Sequence, residues 1–295
     1  MKLTIAFITG RSSPRLDWML SSLAVQWMPG DEISVLAVDS HGRTPAQLGV
    51  RRYGNWLPDV RVVVPKPTPW QGAHRVTSRD WWAKSSAMNT ALVLCDTDYI
   101  AFVDDCCRLG PQWLETVRRG ERQRSAVLAG TYDKLERGVI TQDHRRELAP
   151  NGRENCGGGW LYGCTFALPL EWALEANGAE EGCDGMGTED YILGFMIENN
   201  GHQIDFVPSL AVTQERAEVS VAGAPSIALR RTDKGISPND KSHEALARFG
   251  KGKRTEFSPD LRQLRADRAA GRLVWPMPDP QMRDWYDGQL VREMI

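Results

Sequence analysis

The chain has 295 residues, a formal net charge of −2, 41% hydrophobic residues and 25% charged residues. These values are ordinary for a soluble globular protein and allow one large α/β domain, with or without a C-terminal extension. No run approaches the roughly 20 apolar residues of a membrane span, and the net charge by itself indicates no class of partner.

Strands and helices alternate through the first third of the chain. Residues 3–8 are an apolar run that turns at Thr9 and Gly10 without a cleavage-site pattern, which predicts a first strand rather than a signal peptide. Ser13 is then expected to cap a helix that has Pro14 in its first position. The apolar face of this helix consists of residues at helical spacing, Leu16, Met19, Leu20, Leu23 and Trp27.

Two further strands end at polar or proline-rich turns. Residues 33–38 form the second predicted strand, which finishes at Asp39, and residues 61–64 form the third. A helix is expected over about 78–94, and a short one opens after Pro111. This alternation predicts an α/β fold with a doubly wound, mainly parallel sheet.

The run from Tyr99 to Val103 ends in two adjacent carboxylates, Asp104 and Asp105. Its β-branched and aromatic residues are typical of a buried parallel strand, and open α/β sheets bind ligands beyond the carboxyl ends of their strands. Because unpaired carboxylates are costly to bury, the pair indicates a site for a cation or a solvent-filled cleft. The alternative is that the two side chains cap the next turn.

The middle of the chain is rich in glycine and in carboxylates. Five glycines between residues 151 and 163 predict a loop that lets the backbone approach a ligand, or simply a mobile loop. The next expected elements are a strand, a helix, an acidic loop and a second helix, over residues 164–168, 170–177, 178–188 and 189–199. Glu189 and Asp190 open the second helix, where carboxylates complement the helix dipole, so this pair alone indicates no site.

The cysteines predict neither a metal site nor a disulfide framework. None of the six stands in Cys-x-x-Cys spacing: Cys95, Cys106, Cys107, Cys156, Cys164 and Cys183. Without a signal peptide, they are expected to be reduced thiols of a cytoplasmic protein.

Two motifs carry the most specific information. Residues 89–105 read Asn-x-x-Leu, a spacer, and Tyr-Ile-x-Phe-Val-Asp-Asp, and residues 187–194 read Gly-Thr-Glu-Asp-Tyr-Ile-Leu-Gly, continued by Asn200-Gly201-His202. In this order and spacing they resemble family 2 glycosyltransferases of the GT-A fold, over about residues 2–208. The resemblance implies a GT-A domain over 1–215, with a Rossmann-like nucleotide-binding half and an acceptor half, and an extension over 216–295.

The resemblance implies a divalent metal, Mn²⁺ or Mg²⁺, held by Asp104 and Asp105. Such an ion neutralises the diphosphate that leaves when the sugar is transferred. The chain departs from the family pattern at Cys106, where an Asp is usual, and thiolate suits these ions poorly. Three alternatives stay open: Asp105 is the direct ligand, the site is weak, or the activity needs no metal.

The resemblance also implies the base of an inverting transfer. Asp190 matches the carboxylate that deprotonates the attacking hydroxyl of the acceptor, and Glu189 is the nearby alternative.

Three residues match nucleotide-binding positions of the family, in addition to Asp104, and Lys84 lies on the helix whose start faces the diphosphate in this fold. Asp39 is expected to hydrogen-bond the uracil or ribose, and Thr9 and Arg11 to line the loop beside the nucleotide. Lys84 is expected to reach the diphosphate, while a surface role is the alternative for Arg11. The implied donor is a nucleotide sugar, most readily a UDP-sugar.

The C-terminal part of the chain is basic. Residues 230–272 contain twelve Lys and Arg against six Asp and Glu, a composition that meets phosphates or forms a solvated surface. Arg230 and Arg231 are candidates for a lid that clamps the diphosphate, and His243 is either a metal ligand or a surface residue. Trp275 is expected to pack this tail on the body.

The acceptor is left open between a saccharide and a hydroxylated base in DNA. Tryptophans near the predicted cleft either stack on a sugar or base, or pack between loop and sheet: Trp70, Trp81, Trp82 and Trp160. Two other functions compete. Cys106 motivates a non-catalytic carbohydrate- or nucleic-acid-binding protein on a degenerate transferase scaffold. A nucleotidyltransferase is the second, although residues 9–13 are poor in the glycine its phosphate loop needs. Neither the sugar nor the oligomeric state follows from the sequence.

Overall fold

The computed structural model describes residues 1–11, 13–66, 84–181, 189–215 and 259–275. The strands in this part are β1 Lys2–Thr9, β2 Glu32–Asp39, β3 Asp59–Val63, β4 Tyr99–Asp104, β5 Cys107–Leu109, β6 Val127–Glu136, β7 Val139–Thr141, β8 Thr165–Pro169 and β9 Ile204–Glu215. The helices are α1 Leu16–Ala24, α2 Lys84–Leu94, α3 Trp113–Gln123, α4 Arg145–Leu148, α5 Leu170–Glu175, α6 Glu189–Asn199 and α7 Leu261–Ala269, with a 3₁₀ turn at Gly158–Trp160.

All the described strands belong to one sheet, in the order β3-β2-β1-β4-β8-β6-β9-β5, with β7 beside β6. The four strands from β3 to β4 are parallel, as the alternation of strands and helices predicts. Beyond β4 the sheet is mixed, since β8 runs antiparallel to β4 and β6 while β6 and β9 are parallel. The predicted α/β class with a mostly parallel sheet is confirmed.

Helices cover both faces of the sheet, which explains why its strands are continuous apolar runs. In β1, Leu3, Ile5 and Phe7 pack on the face that carries α1 and α3. Ala6 and Ile8 point to the opposite face, where α2, α5 and α6 lie. Side chains of a strand alternate between the faces, so both must be apolar when both are covered.

Helix α1 begins two residues later than the sequence predicts. Arg15 precedes the helix with φ −117° and ψ 55°, outside the helical region, and its side chain makes no capping hydrogen bond. The roles assigned to Ser13 and Pro14 are therefore wrong. The predicted apolar face is confirmed by four buried residues, Leu16, Met19, Leu20 and Leu23. Trp27 lies beyond the end of the helix and stacks on Trp56 with ring centroids 6.3 Å apart.

A close contact between two glycines fixes the position of α6. A Cβ on Gly158 would lie 2.4 Å from the backbone nitrogen of Phe195 and 2.6 Å from the carbonyl carbon of Gly194. The backbone of Gly158 also donates a hydrogen bond to Glu198 Oε2 at 2.8 Å. The glycine-rich stretch is therefore a packing surface for the helix that starts with Glu189.

Replacing Gly158 by Ala is expected to destabilise the protein by about 1–3 kcal/mol, because backbone atoms have to move to admit the methyl group. Gly159→Ala is the matched control, since a Cβ there meets only Phe195 Cζ at an ordinary 3.5 Å. Urea unfolding of the two variants measures the difference. Equal stability of both would show that the contact is not tight.

Helix α7, part of the predicted extension, packs on α2. Leu261 is fully buried, and Arg265 donates to the carbonyl oxygens of Leu92 at 2.7 Å and Cys95 at 2.8 Å. These carbonyls lie at the C-terminal end of α2, where helices leave acceptors unpaired. Trp275 follows α7 and donates to the carbonyl of Val64 at 3.1 Å, so this tryptophan packs on the body as expected. Among the described helices, none has the length and apolar character needed to cross a membrane.

Candidate active site

The strand register brings the predicted site residues together at one edge of the sheet. Thr9 lies opposite Asp39 in the β1–β2 pair, and Ile8 lies opposite Asp104 in the β1–β4 pair. Because the carboxyl ends of these three parallel strands coincide, the polar residues at their tips are neighbours.

Each oxygen of Asp105 accepts a hydrogen bond, one from the last residue of β1 and one from the turn that follows it. Thr9 Oγ1 donates to Oδ2 at 2.9 Å, and Arg11 Nε donates to Oδ1 at 2.7 Å. Burial raises the pKa of Asp105 to about 6, although the Arg11 charge opposes this shift. Three residues predicted to meet the nucleotide or metal thus bind one another.

Lys84, the first residue of α2, connects two of the predicted carboxylates. Its Nζ lies 2.9 Å from Asp104 Oδ1 and 3.5 Å from Glu189 Oε1. Burial works against the Lys84 charge, but the carboxylates of Asp104, Glu189 and Asp190 raise its pKa well above the ordinary value. Burial raises the pKa of Glu189 to about 7, against the pull of Lys84. The ammonium is therefore a permanent cation in a carboxylate pocket.

Asp190 is oriented by backbone groups. Its Oδ2 accepts a hydrogen bond from the Gly163 nitrogen at 2.7 Å, and its Oδ1 accepts one from the Tyr191 nitrogen at 2.9 Å. A Cβ on Gly163 would lie 2.8 Å from Lys84 Nζ and 3.4 Å from Asp190 Oδ2, so the lysine and the carboxylate border the same glycine. Asp190 is half-buried, and the two N–H donors leave lone pairs free on each of its oxygens.

Asp39 is fully buried and is paired with Arg43, a residue that sequence reasoning missed. Arg43 Nε donates to Asp39 Oδ2 at 2.9 Å, and Arg43 Nη2 donates to Oδ1 at 2.6 Å and to the carbonyl of Arg11 at 2.8 Å. Burial pushes the pKa of Asp39 up, but the Arg43 hydrogen bonds hold it below the ordinary value. The spacing of Asp39 and Arg43, four residues apart in a turn, is the available sequence signal. The contact of Asp39 with a nucleotide stays a prediction.

The side chains present fit a divalent metal only with Asp104 as the central ligand. No group of three His, Cys, Asp or Glu residues suited to a metal occurs in the described part of the chain. Magnesium at phosphate sites, however, is commonly held by one or two carboxylates together with phosphate oxygens. Asp104 and Glu189 fit this donor set because both lie within 3.5 Å of one cation, Lys84 Nζ. Asp105 is the poorer candidate, since it is buried and already pairs with the Arg11 cation at 2.7 Å.

Cys106 takes no part in this donor set. Its backbone is in the left-handed region, with φ 58°, and its Sγ donates to the carbonyl of Ser13 at 3.9 Å. Burial raises the pKa of the thiol to about 11, so it stays protonated near neutral pH. All five cysteines in the described part are free, and Cys183 lies outside it.

A cluster of aromatic rings borders Asp190, and sequence reasoning missed it. Tyr162 is at its centre, with ring centroids 6.0 Å from Tyr132, 6.1 Å from His144 and 5.3 Å from Tyr191. We call these four residues the ring cluster. Three of the rings are half-buried and that of His144 is exposed, so part of the surface faces solvent.

The ring cluster is tied to the site by the chain itself. Tyr162 directly precedes Gly163, and Tyr191 directly follows Asp190. The guanidinium of Arg145 lies 3.7 Å over the Tyr162 ring, close enough for a cation–π interaction. The adjacency of both tyrosines to motif residues is a sequence signal, but only the fold shows that they meet.

The Arg145 side chain that contacts the ring cluster belongs to a buried ion pair. Arg145 and Asp143 are 2% and 4% exposed, and Arg145 Nη2 lies 2.6 Å from Asp143 Oδ2. Burial pushes the pKa of Asp143 up, but the hydrogen bonds and charge of Arg145 hold it below its ordinary value of 3.8. A depressed carboxyl pKa adds stability above the unfolded-state value, and that stability is lost as pH falls through the folded-state value.

We therefore expect the stability difference between the wild type and Asp143→Asn to be large at pH 7 and to shrink below about pH 4. At low pH the wild-type carboxyl is protonated too, and it loses the same interaction. Melting temperatures between pH 2.5 and 7 measure this, with Asp59→Asn, an exposed residue, as the control. A difference that stays constant over this range would contradict the assignment.

Several predicted residues lie outside the described part of the chain, namely Arg230, Arg231, His243, Trp70, Trp81 and Trp82. Trp160, which is described, packs on Phe206 with ring centroids 5.1 Å apart and an angle of 60°. Trp160 was predicted either to stack on a sugar or base or to pack between loop and sheet, and this contact is of the packing kind.

The chain has an α/β fold of the GT-A-like glycosyltransferase type. The particular proteins of similar structure include TarS of S. aureus, residues 1–349, which has been solved alone and in complex with UDP. The UDP complex has a TM-score of 0.54 and 16% identity, over 73% of this chain and 60% of TarS 1–349. The structure without UDP has a TM-score of 0.54 and 14% identity, over 84% of this chain and 69% of the other.

The match to TarS is one of fold alone, at these identities. The chain spans less than two thirds of the UDP-bound structure. No protein-family model and no curated protein matches the sequence.

Proposed function

We propose that this protein transfers a sugar from a nucleotide sugar, most readily a UDP-sugar, to a hydroxyl group of an acceptor. The observation that carries the proposal is the convergence of Asp39, Thr9, Asp104 and Asp190 at one edge of a GT-A-like sheet. The similar fold of TarS, solved with UDP, supports the choice of nucleotide.

Asp190 is the proposed base of an inverting transfer, ahead of Glu189. The acceptor oxygen attacks the anomeric carbon from the side opposite the diphosphate, and its proton passes to an Asp190 oxygen. The bond from the anomeric carbon to the diphosphate breaks, and its electron pair leaves with the phosphate oxygen. The Gly163 and Tyr191 N–H groups hold the carboxylate in one orientation, which favours proton transfer. The half-buried position of Asp190 keeps it accessible to an acceptor.

The proposed roles on the donor side follow from charge and position. Thr9, Arg11 and Asp39 border the nucleotide, while Lys84 meets the diphosphate. A Mn²⁺ or Mg²⁺ ion, when bound at Asp104, would neutralise charge on the leaving diphosphate. Arg230, Arg231 and His243 stay predictions for the extension over 216–295.

The ring cluster favours a saccharide among the two acceptors considered. Aromatic faces with hydroxyl groups at their rims suit the apolar faces and hydroxyls of a sugar ring. An acceptor in DNA would instead require Lys and Arg side chains that are available to bind phosphates. In the described part of the basic segment, all four arginines are committed to contacts within the protein: Arg262 with Glu171, Arg265 with α2, Arg268 with Asp96, and Arg272 with Asp267.

Thermal unfolding with UDP, GDP, TDP and CDP, followed by UDP release from a panel of UDP-sugars, tests the proposal. A ligand at about 100 times its Kd adds about 2.7 kcal/mol of stability, which shifts the melting temperature measurably. We expect a shift with UDP and release of UDP when a saccharide acceptor is added. UDP binding without turnover would favour the non-catalytic binding protein, and no shift with any nucleotide would contradict the proposal.

A further inference from the structure

The Lys84 ammonium sits where a cation is needed in the proposed reaction. It is within 2.9 Å of Asp104 and 3.5 Å of Glu189, and the side chains of Lys84 and Asp104 are 19% and 17% exposed. The pair is therefore enclosed by protein but reachable from solvent. Glu189 is 6% exposed and adds a second carboxyl group from α6.

A divalent ion and Lys84 cannot share these carboxylates as they are placed. An ion bound to Asp104 Oδ1 would lie within a few ångströms of the ammonium, and like charges at that distance repel strongly in a partly desolvated pocket. The neighbouring Asp105 offers no easy alternative, because it is buried and its charge is already paired with Arg11. A divalent ion can take this place on Asp104 Oδ1 only if Lys84 moves.

A nucleotide diphosphate supplies both the reason for Lys84 to move and the missing ligands. Its oxygens attract the ammonium, and they complete the coordination of a metal held by one or two carboxylates. The lysine stem is long and flexible, with room for its charged tip to change partner.

We propose, resting on the nucleotide-sugar function above, that Lys84 holds the place of a divalent cation in the nucleotide-free protein and excludes free metal until a diphosphate draws it away. Metal and nucleotide then bind with positive coupling, and by linkage each raises the affinity of the other equally. Lys84 acts as a gate as well as a partner of the diphosphate.

The test measures Mn²⁺ binding by electron paramagnetic resonance and by calorimetry, without nucleotide and with UDP or uridine. We expect weak Mn²⁺ binding to the wild type alone, binding at least ~10-fold tighter with UDP, and no gain with uridine, which lacks the diphosphate. Lys84→Met, which removes the charge, is expected to bind Mn²⁺ ~10-fold tighter than the wild type without nucleotide, because Asp104 and Glu189 are freed.

Two further variants complete the design. Lys84→Arg keeps the positive charge and is expected to exclude Mn²⁺ as the wild type does. Lys2→Met breaks an exposed pair with Glu32 at the far end of β1 and is expected to change nothing. If Lys84→Met does not fold, Lys84→Gln, which also removes the charge but keeps a polar tip, is measured in its place.

Two results would overturn the gate: a folded Lys84→Met that binds Mn²⁺ no better than the wild type, or equal UDP binding with Mn²⁺ and with chelator. Failure of the proposed function looks different, because UDP then does not bind under any condition. In that case Lys84→Met still gains Mn²⁺ affinity if the lysine alone shields the carboxylates.

Discussion

Asp190→Asn is expected to lower the turnover of sugar transfer by a factor of ~10²–10⁴, because the acceptor hydroxyl loses its base. Nucleotide binding should be unchanged, since Asp190 is proposed to act on the acceptor side. The amide oxygen of Asn still accepts one of the two backbone hydrogen bonds, from Gly163 or Tyr191. The measurement is UDP release in the presence of acceptor, together with UDP binding by calorimetry.

Glu189→Gln distinguishes the two carboxylates. Glu189 is buried against Lys84, so its replacement is expected to alter donor binding more than turnover. The assignment would be reversed if Glu189→Gln abolished turnover while Asp190→Asn kept it. Equal UDP binding by Asp190→Asn and the wild type is the control that the site has not collapsed.

The positions of the strand tips could be predicted from the sequence because both faces of the parallel strands are buried. A continuous apolar run that ends in a polar residue has one clear reading, as at Asp39 and at Asp104. Parallel register then places the tips together, and Thr9 opposite Asp39 confirms it. The signal for these positions is a short apolar run and the polar residue after it, so it can be seen in a single sequence.

Strands β6 and β9 were missed because their local signals point the other way. Gly130 interrupts β6, yet a Cβ there would lie 2.2 Å from the carbonyl oxygen of Leu210, so the glycine lets the two strands approach. A shift of register falls between Ala129 and Thr131 at the same place. Pro208 lies within β9, where proline usually argues against a strand. Only the partner strand explains these residues.

The contacts that the site residues make with one another could not be predicted from the sequence either. Thr9 and Asp105 are 96 residues apart, and Arg11 and Asp105 are 94 apart. The sequence assigned each side chain to a ligand, because the resemblance is read position by position. The fold shows that the protein supplies partners of its own, such as Arg43 for Asp39 and Lys84 for Asp104.

A buried ion pair joins two segments that flank the site. Lys66 and Glu181 are both fully buried and form a close ion pair, in which Glu181 also accepts from Asn89 Nδ2 at 2.9 Å. The backbone of Lys66 is held on α2 by Thr90 and Ser86, at 2.8 and 2.9 Å. Lys66 precedes residues 67–83 and Glu181 precedes residues 182–188, which run into α2 and α6. The pair therefore fixes Lys66 and Glu181, the last described residues before the connections to the helices that carry Lys84 and Asp190.

Glu181→Gln is expected to cost about 3–5 kcal/mol of folding free energy, because it removes the carboxylate that pairs with the buried Lys66 charge. The double variant Lys66→Met, Glu181→Leu should recover most of this loss, since neither charge then has to be desolvated. Glu32→Gln, which breaks the exposed Lys2–Glu32 pair, is the matched control and should cost less than about 1 kcal/mol.

Urea unfolding of these three variants measures the predicted order of stability. The prediction fails if the double variant is no more stable than Glu181→Gln, because the cost would then come from lost packing or hydrogen bonds rather than from the lost pairing of charges. UDP binding by the double variant shows whether the ion pair contributes to nucleotide binding in addition to stability. Stability recovered without UDP affinity would mean that the two charges contribute to nucleotide binding as well as to stability.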